Sequence, residues 1–116
     1  METQVTAYLD ALAATAEVGS VVLSDPTGFW VDVARATLGD RLVSTHTEPL
    51  AMLASAKPDM AVIAYEAVLA PPIVRAALEV GCHVLAEKPA CTAIEAMDEL
   101  VVLAARQKRK LMLAYA

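Results

Sequence analysis

The sequence lacks the features that mark several large classes of protein. Its nine Lys and Arg residues are outnumbered by 14 Asp and Glu residues, giving a net charge of −5 and no basic stripe, so nucleic acid is not an expected partner. Glu66 interrupts the nearest apolar stretch, residues 60–70, before it reaches the roughly 18–20 residues that a membrane span needs. The N-terminus has no early Lys or Arg and no signal-peptide pattern. These absences predict a cytoplasmic protein without a membrane segment.

The cysteines are also too few and wrongly spaced for a metal centre. Cys82 and Cys91 match neither a metal-ligand spacing nor the C-x-x-C redox pattern. We interpret both as small, buried or half-buried residues, and we predict no metal site.

The basic run at residues 106–110 closes a predicted helix, where cations complement the helix dipole.

The sequence is rich in hydrophobic residues. Hydrophobic residues make up 58% of the chain and the mean hydropathy is +0.52. This composition argues against intrinsic disorder, and 116 residues suffice for one domain with its own core.

Predicted helices and strands alternate from end to end. Helices are predicted over residues 3–16, 28–38, 47–56 and 71–80, with a longest helix opening at 92; strands are predicted over 20–24, 41–44, 60–65, 83–86 and 110–115. Apolar strands alternating with helices are typical of a parallel sheet that is covered on both faces. The fold class is therefore α/β, a doubly wound sheet. The chain begins with a helix, which is unusual for a doubly wound domain.

Ligands of a doubly wound sheet bind outside the carboxyl ends of its strands, so site residues are sought there. Asp25 follows the first predicted strand and Tyr65 ends the third. The Asp25 carboxylate could accept the hydroxyls of an adenosine ribose, or it could merely open a turn, as Asp-Pro pairs commonly do. No Lys or Arg between Asp25 and Ala34 could hold a 2′-phosphate, so a bound dinucleotide is expected to be NAD rather than NADP.

A second candidate site follows the fourth predicted strand. Lys88 lies between Glu87 and Pro89, and the proline favours an extended backbone at Lys88. The Lys88 side chain is then expected to project from the edge of the sheet where ligands bind. There its ammonium could polarise a hydroxyl or carbonyl or transfer a proton, or it could remain a solvated loop lysine. His46, in a loop, and His83, at the start of a strand, are not assigned catalytic roles.

Several segments together resemble one enzyme family. The segment G-C-H-V-L-A-E-K-P at residues 81–89 resembles the G-x-H-V-x-x-E-K-P signature of the Gfo/Idh/MocA oxidoreductases. The segments at 57–65, 75–81 and 110–115 are similar to further stretches of that family. The resemblance implies a Rossmann-like NAD(P)-binding domain over residues 1–116, here without its first strand, its G-x-G-x-x-G loop or the C-terminal substrate domain.

The resemblance also implies roles for individual residues. Lys88 matches the lysine near the nicotinamide and the substrate hydroxyl, which makes it the predicted catalytic residue. Asp25 matches the ribose-binding position, and Tyr65, Glu87, Lys88 and Pro89 are further predicted cofactor contacts. The implied substrate is a sugar, a polyol or a related hydroxyl or carbonyl compound. The family's T-P-x-x-x-H stretch is replaced by Y-E-A-V-L-A, so its proline and histidine are lost.

Two other functions remain open at the level of sequence. A phospho-acceptor receiver domain has a similar length, an Asp at one strand end and a Lys-Pro at another. Here, however, the lysine lies one strand too late, and the acidic pair of a receiver is missing. A non-catalytic Rossmann-like remnant that binds a partner is favoured by the missing glycine loop.

The absence of the first strand has a consequence for the pairing of the strands that remain. That strand would be the central one in the strand order 3-2-1-4-5-6. The strands at 20–24 and 60–65 should then pair directly or leave a gap with unpaired backbone groups.

Overall fold

A computed structural model describes residues 2–64, 69–87 and 94–114 of the chain. The elements are α1 (Glu2–Ala14), β1 (Val21–Ser24), α2 (Val31–Leu38), a 3₁₀ turn (Gly39–Arg41), β2 (Leu42–His46), α3 (Pro49–Ala56), β3 (Met60–Ile63), α4 (Ala70–Glu79), β4 (His83–Glu87), α5 (Ile94–Gln107) and β5 (Leu111–Ala114). The predicted alternation is confirmed, and β1 is preceded by a helix as expected. Tyr65, Lys88, Pro89 and Cys91 lie outside the described residues.

The strands form two parallel sheets rather than one. One sheet has the order β1-β2 and the other the order β3-β4-β5. Of the two outcomes predicted for the sheet, direct pairing of β1 with β3 does not occur among the described residues. The chain likewise divides into two compact units, an N-terminal unit of residues 1–52 and a C-terminal unit of residues 53–116.

The N-terminal unit packs α1 and α2 against the β1-β2 sheet. Its core is apolar and consists of Leu9, Ala34, Leu38 and Leu42, with Val21 and Leu23 of β1 packed against them. The Arg41 guanidinium completes this unit by donating hydrogen bonds to the carbonyls of Leu12, Ala13, Thr15 and Val18. Because the last carbonyls of a helix have no partner within it, Arg41 caps the C-terminal end of α1.

The C-terminal unit places α4 and α5 on one face of the β3-β4-β5 sheet. The core on that face includes Ile63, Val84 and Ala86 from the strands and Val74 and Leu100 from the helices. Side chains alternate along a strand, so their neighbours point to the opposite face. Met60 and Met112 lie on that opposite face and are 53% and 60% exposed.

Most predicted boundaries differ from the structure by one or two residues, and three of the differences have a clear local reason. The helix predicted from Gly28 begins at Val31, because the preceding residues form a turn around the Asp25 carboxylate. The strand predicted over 41–44 runs from Leu42 to His46 after a 3₁₀ turn. The helix-capping side chain predicted at Thr47 is supplied instead by Glu48, whose Oε1 accepts the Leu50 N–H at 3.3 Å.

Candidate functional site

The pairing of β1 with β2 brings the carboxyl ends of both strands to one edge. Ser24 is in register with His46, and the Asp25 N–H extends the ladder by donating to the His46 carbonyl at 2.9 Å. Asp25 therefore lies at the carboxyl end of β1, where the sequence predicts it, beside the residues that follow β2.

The Asp25 carboxylate organises the loop between β1 and α2. Its Oδ1 accepts hydrogen bonds from the Thr27 N–H and the Thr27 hydroxyl, both at 3.1 Å. Its Oδ2 accepts the Trp30 N–H at 2.8 Å. The loop turns at Gly28, whose φ of 73° lies in the left-handed region that favours glycine, and the Gly28 N–H donates to the Asp25 carbonyl at 3.1 Å. The predicted turn role of Asp25 is therefore present in the structure.

These hydrogen bonds keep the carboxylate ionised. Partial burial raises the pKa of Asp25, but hydrogen bonds from Trp30 and Thr27, helped by the nearby Gly28 N–H, favour the charged form and together outweigh burial. The net pKa of Asp25 lies below its ordinary value. Asp25 is thus an acceptor at neutral pH and not a proton donor.

The carboxylate also retains capacity for a ligand. An ionised carboxylate has about four acceptor positions, and the three hydrogen bonds from Thr27 and Trp30 occupy both positions on Oδ1 and one on Oδ2. No group of the described residues bonds to the remaining position, which is on Oδ2. The arrangement therefore fits a single ribose hydroxyl on Asp25, while the second hydroxyl of the same ribose needs another acceptor.

An open cleft of about 370 Å³ lies against this carboxylate. It is lined by Asp25, Gly28, Val31, Thr45, His46, Thr47, Glu48 and Ala51, all within the N-terminal unit. The lining residues come from the loop after β1, the end of β2 and the start of α3. The cleft combines an apolar side at Val31 and Ala51 with polar groups from Asp25, Thr45 and Glu48, which is typical of a small-molecule site.

The two histidines have different surroundings. His46 lines the cleft, and its Nε2 lies 3.0 Å from the Ser44 hydroxyl. His83 lies at the start of β4, where its Nδ1 accepts the Lys110 N–H at 3.0 Å. Because this bond ties the start of β4 to the residue that precedes β5, the contact agrees with a structural interpretation of His83.

In the C-terminal unit, the described part of the second candidate site is Glu87. It is the last residue of β4, in register with Ala114 of β5, and is 9% exposed. Its position at the carboxyl end of a central strand is the one that the sequence predicts.

The described cysteine is not a reactive group. Cys82 is fully buried, with its Sγ 3.0 Å from the Pro58 carbonyl, as the sequence analysis expects of a buried cysteine. Burial and the negative charge of Asp59 raise the pKa of its thiol, while Arg109 opposes them. Within residues 2–64, 69–87 and 94–114, no three His, Cys, Asp or Glu side chains form a group that could hold a metal ion.

Sequence reasoning missed two residues of the site. Thr27 could have been found from the D-P-T-G pattern, since an Asp side chain commonly bonds to the backbone two residues later. Glu48 carries no such signal, because its place in the same cleft as Asp25 depends on the pairing of two strands.

Comparison with known proteins identifies the class to which this fold and site belong. Residues 4–115 match the family model described as the oxidoreductase family with an NAD-binding Rossmann fold, Gfo/Idh/MocA. The chain belongs to this family. The receiver domain is therefore the wrong alternative. No curated protein matches the chain in sequence.

Solved structures show the same fold. The WlbA dehydrogenase from Chromobacterium violaceum, in complex with NADH and UDP-GlcNAcA, matches with a TM-score of 0.81 and 24% identity, over 97% of this chain and 32% of that one. The scyllo-inositol dehydrogenase from Lactobacillus casei, with bound NAD(H) and scyllo-inositol, matches with a TM-score of 0.78 and 21% identity, over 92% of this chain and 32% of that one. The chain thus spans about a third of the length of these proteins.

Among the described residues, none of the helices has the length and apolar character to cross a membrane.

Proposed function

We propose that this chain is the nucleotide-binding part of a cytoplasmic NAD-dependent oxidoreductase, and that its cleft binds the adenosine ribose of the cofactor. The observation that carries the proposal is the ionised Asp25 carboxylate at the carboxyl end of β1, with one acceptor position left on Oδ2. A ribose hydroxyl is the group that this position fits, since the carboxylate can accept but cannot donate.

NAD is the proposed cofactor rather than NADP. A 2′-phosphate in the cleft would face the charge of Asp25, and the described residues that line the cleft include no Lys or Arg to neutralise it. NADP-binding sites of this fold type instead accommodate the 2′-phosphate with an arginine.

Lys88 is proposed as the catalytic residue, with Tyr65, Glu87 and Pro89 as further cofactor contacts. The support is the E-K-P sequence together with the family membership of the chain. A bound nicotinamide would supply hydride transfer. The contribution of Lys88 is to hold the substrate hydroxyl or carbonyl oxygen and to move its proton.

The proposed substrate is a sugar, a polyol or a related small molecule. The support is that two similar structures hold scyllo-inositol and UDP-GlcNAcA. The 116-residue sequence contains no G-x-G-x-x-G loop, which normally holds the cofactor's pyrophosphate. We therefore expect the chain by itself to bind NAD no more tightly than roughly millimolar, since one or two hydrogen bonds contribute only about 1–3 kcal/mol.

An NMR titration of the ¹⁵N-labelled chain with NAD⁺ tests the site. The amides of Gly28 and Thr45 should shift on titration, and Asp25→Asn should weaken the response. Asp32→Asn, which removes one exposed charge from α2, is the matched control and should leave it unchanged.

Two results would argue against the site. A dissociation constant for NAD⁺ in the low micromolar range would indicate that the cofactor is held by groups outside this cleft. A complete lack of response would favour the alternative of a non-catalytic, partner-binding module.

A further inference from the structure

Two acidic residues, and not one, line the cleft. Asp25 comes from the end of β1, and Glu48 follows β2 and precedes the first residue of α3. The third titratable side chain on the described lining is His46. Each carboxylate extends from its own strand end, so together they impose negative charge on the part of the cleft where the ribose is proposed to lie.

Both carboxylates also bind backbone N–H groups that an anion would otherwise use. The first N–H groups of a helix have no partner within it and are common binding points for phosphate. In α3 the Leu50 N–H is held by Glu48 Oε1 at 3.3 Å. In the turn before α2 the Trp30 N–H is held by Asp25 Oδ2 at 2.8 Å. The carboxylates of the chain itself therefore occupy these two N–H groups, where the phosphate of a ligand could otherwise bind.

We propose that Glu48 is a second residue that discriminates against the 2′-phosphate of NADP, acting together with Asp25. This inference rests on the proposed function, in which the cleft binds the adenosine ribose. Glu48 repels the phosphate and holds the Leu50 N–H that could bind it. It also provides the second acceptor that a ribose diol needs, since Asp25 has one position left.

Two variants of the 116-residue chain isolate this role. Glu48→Gln keeps an oxygen that can accept the Leu50 N–H but removes the charge. Glu48→Ser removes the charge and supplies a residue that is favourable at a helix start. Asp40→Asn is the matched control, because Asp40 is exposed in the 3₁₀ turn before β2 and does not line the cleft.

The measurement is the ratio of the NADP⁺ to the NAD⁺ dissociation constant, from the initial slopes of NMR titrations. Both Glu48 variants should lower this ratio by about fivefold or more, as expected for removal of one nearby like charge. The control should keep the ratio within about twofold, because a distant exposed charge is screened. Raising NaCl to about 0.5 M should shrink the difference between wild type and the Glu48 variants, which a purely structural effect would not do.

The outcomes separate this inference from the proposed function. If NAD⁺ moves no cleft amide in the wild-type chain, the proposed function fails and the role of Glu48 fails with it. If NAD⁺ does bind in the cleft but both Glu48 variants keep the wild-type ratio, only the role of Glu48 is refuted. If neither variant folds, a wild-type ratio that is insensitive to salt would still refute discrimination by charge, for Glu48 as well as for Asp25.

Discussion

Asp25 stabilises the loop between β1 and α2, and the contribution of its charge to stability can be measured through its dependence on pH. Its pKa in the folded chain is lowered, mainly by hydrogen bonds from Trp30 and Thr27 that outweigh partial burial. A group with a depressed folded-state pKa contributes stability above its unfolded pKa of about 3.9, and that contribution is lost as the pH falls through the folded value.

We expect Asp25→Asn to lower the free energy of unfolding by about 1 kcal/mol at pH 7. The amide nitrogen of Asn cannot accept the Trp30 N–H, and the charge is lost. The difference from wild type should shrink as the pH falls below the unfolded pKa of about 3.9, because the carboxyl of the unfolded chain then binds a proton before that of the folded chain does. Urea unfolding of both chains at pH 7, 5 and 3 measures this. A difference that stayed constant over this range would show that the charge of Asp25 contributes nothing to stability.

Ser24 offers a second prediction at the scale of one residue. Its hydroxyl oxygen is buried at the end of β1, and no polar atom of the described residues bonds to it. An unsatisfied buried hydroxyl costs about 1–3 kcal/mol. Ser24→Ala should therefore leave the chain as stable as wild type or slightly more stable in urea unfolding. Destabilisation by more than about 1 kcal/mol would mean that the hydroxyl has a partner.

Lys88 can be tested through turnover in an active enzyme that contains this chain. Lys88→Ala should lower kcat by about 10²–10⁴-fold, the usual range for a positioned acid–base group. Lys88→Arg should not restore activity, because a guanidinium does not release its proton near neutral pH. The affinity for NAD should change much less, since the proposed ribose contact is at Asp25. Retention of more than about a third of the wild-type kcat in the alanine variant would make Lys88 a solvated loop lysine.

At the scale of elements, the end of α4 depends on a glycine. Gly81 follows α4 with a φ of 96°, as its predicted role as a helix stop requires. A Cβ at Gly81 would meet only the Arg109 side chain, at 3.8 Å, so the cost of adding one comes from the backbone and not from crowding.

Gly81→Ala should destabilise the chain by about 1–2 kcal/mol in urea unfolding, the cost of a left-handed residue that carries a Cβ. Gly19→Ala is the matched control, because its φ is not in that region and nothing lies within 4 Å of the added carbon. That variant should be neutral or stabilised by about 0.5 kcal/mol. Equal losses in both variants would show that the φ of Gly81 is not what matters.

The elements also show which parts of the structure were predictable from the sequence. Buried parallel strands are continuous apolar runs, so M-A-V-I and H-V-L-A were predictable without knowledge of their neighbours. The start of α2 was not, because the Asp25 carboxylate competes for the backbone N–H groups that precede Val31. The position of Glu48 in the cleft was also not predictable, since it depends on the register of β1 with β2.

At the scale of the whole molecule, the sheets are small. The N-terminal unit has a parallel sheet of only two strands, so α1 and α2 supply most of the apolar surface that can stabilise it. We therefore expect the 116-residue chain to unfold with a broad transition below about 60 °C, near the upper end of the range for ordinary domains. Circular dichroism and differential scanning calorimetry measure this. A sharp, cooperative transition above about 60 °C would contradict the expectation.

One face of the β3-β4-β5 sheet carries two exposed methionines whose oxidation can be measured. Met60 and Met112 present their thioethers there, 53% and 60% exposed. Oxidation to the sulfoxide turns a flexible apolar side chain into a polar one, and accessible thioethers oxidise first. Mild peroxide treatment, followed by mass spectrometry of the peptides that carry Met60 and Met112, would therefore report on this face. Slow oxidation of both methionines would indicate that something covers it, and fast oxidation would turn an apolar surface into a polar one.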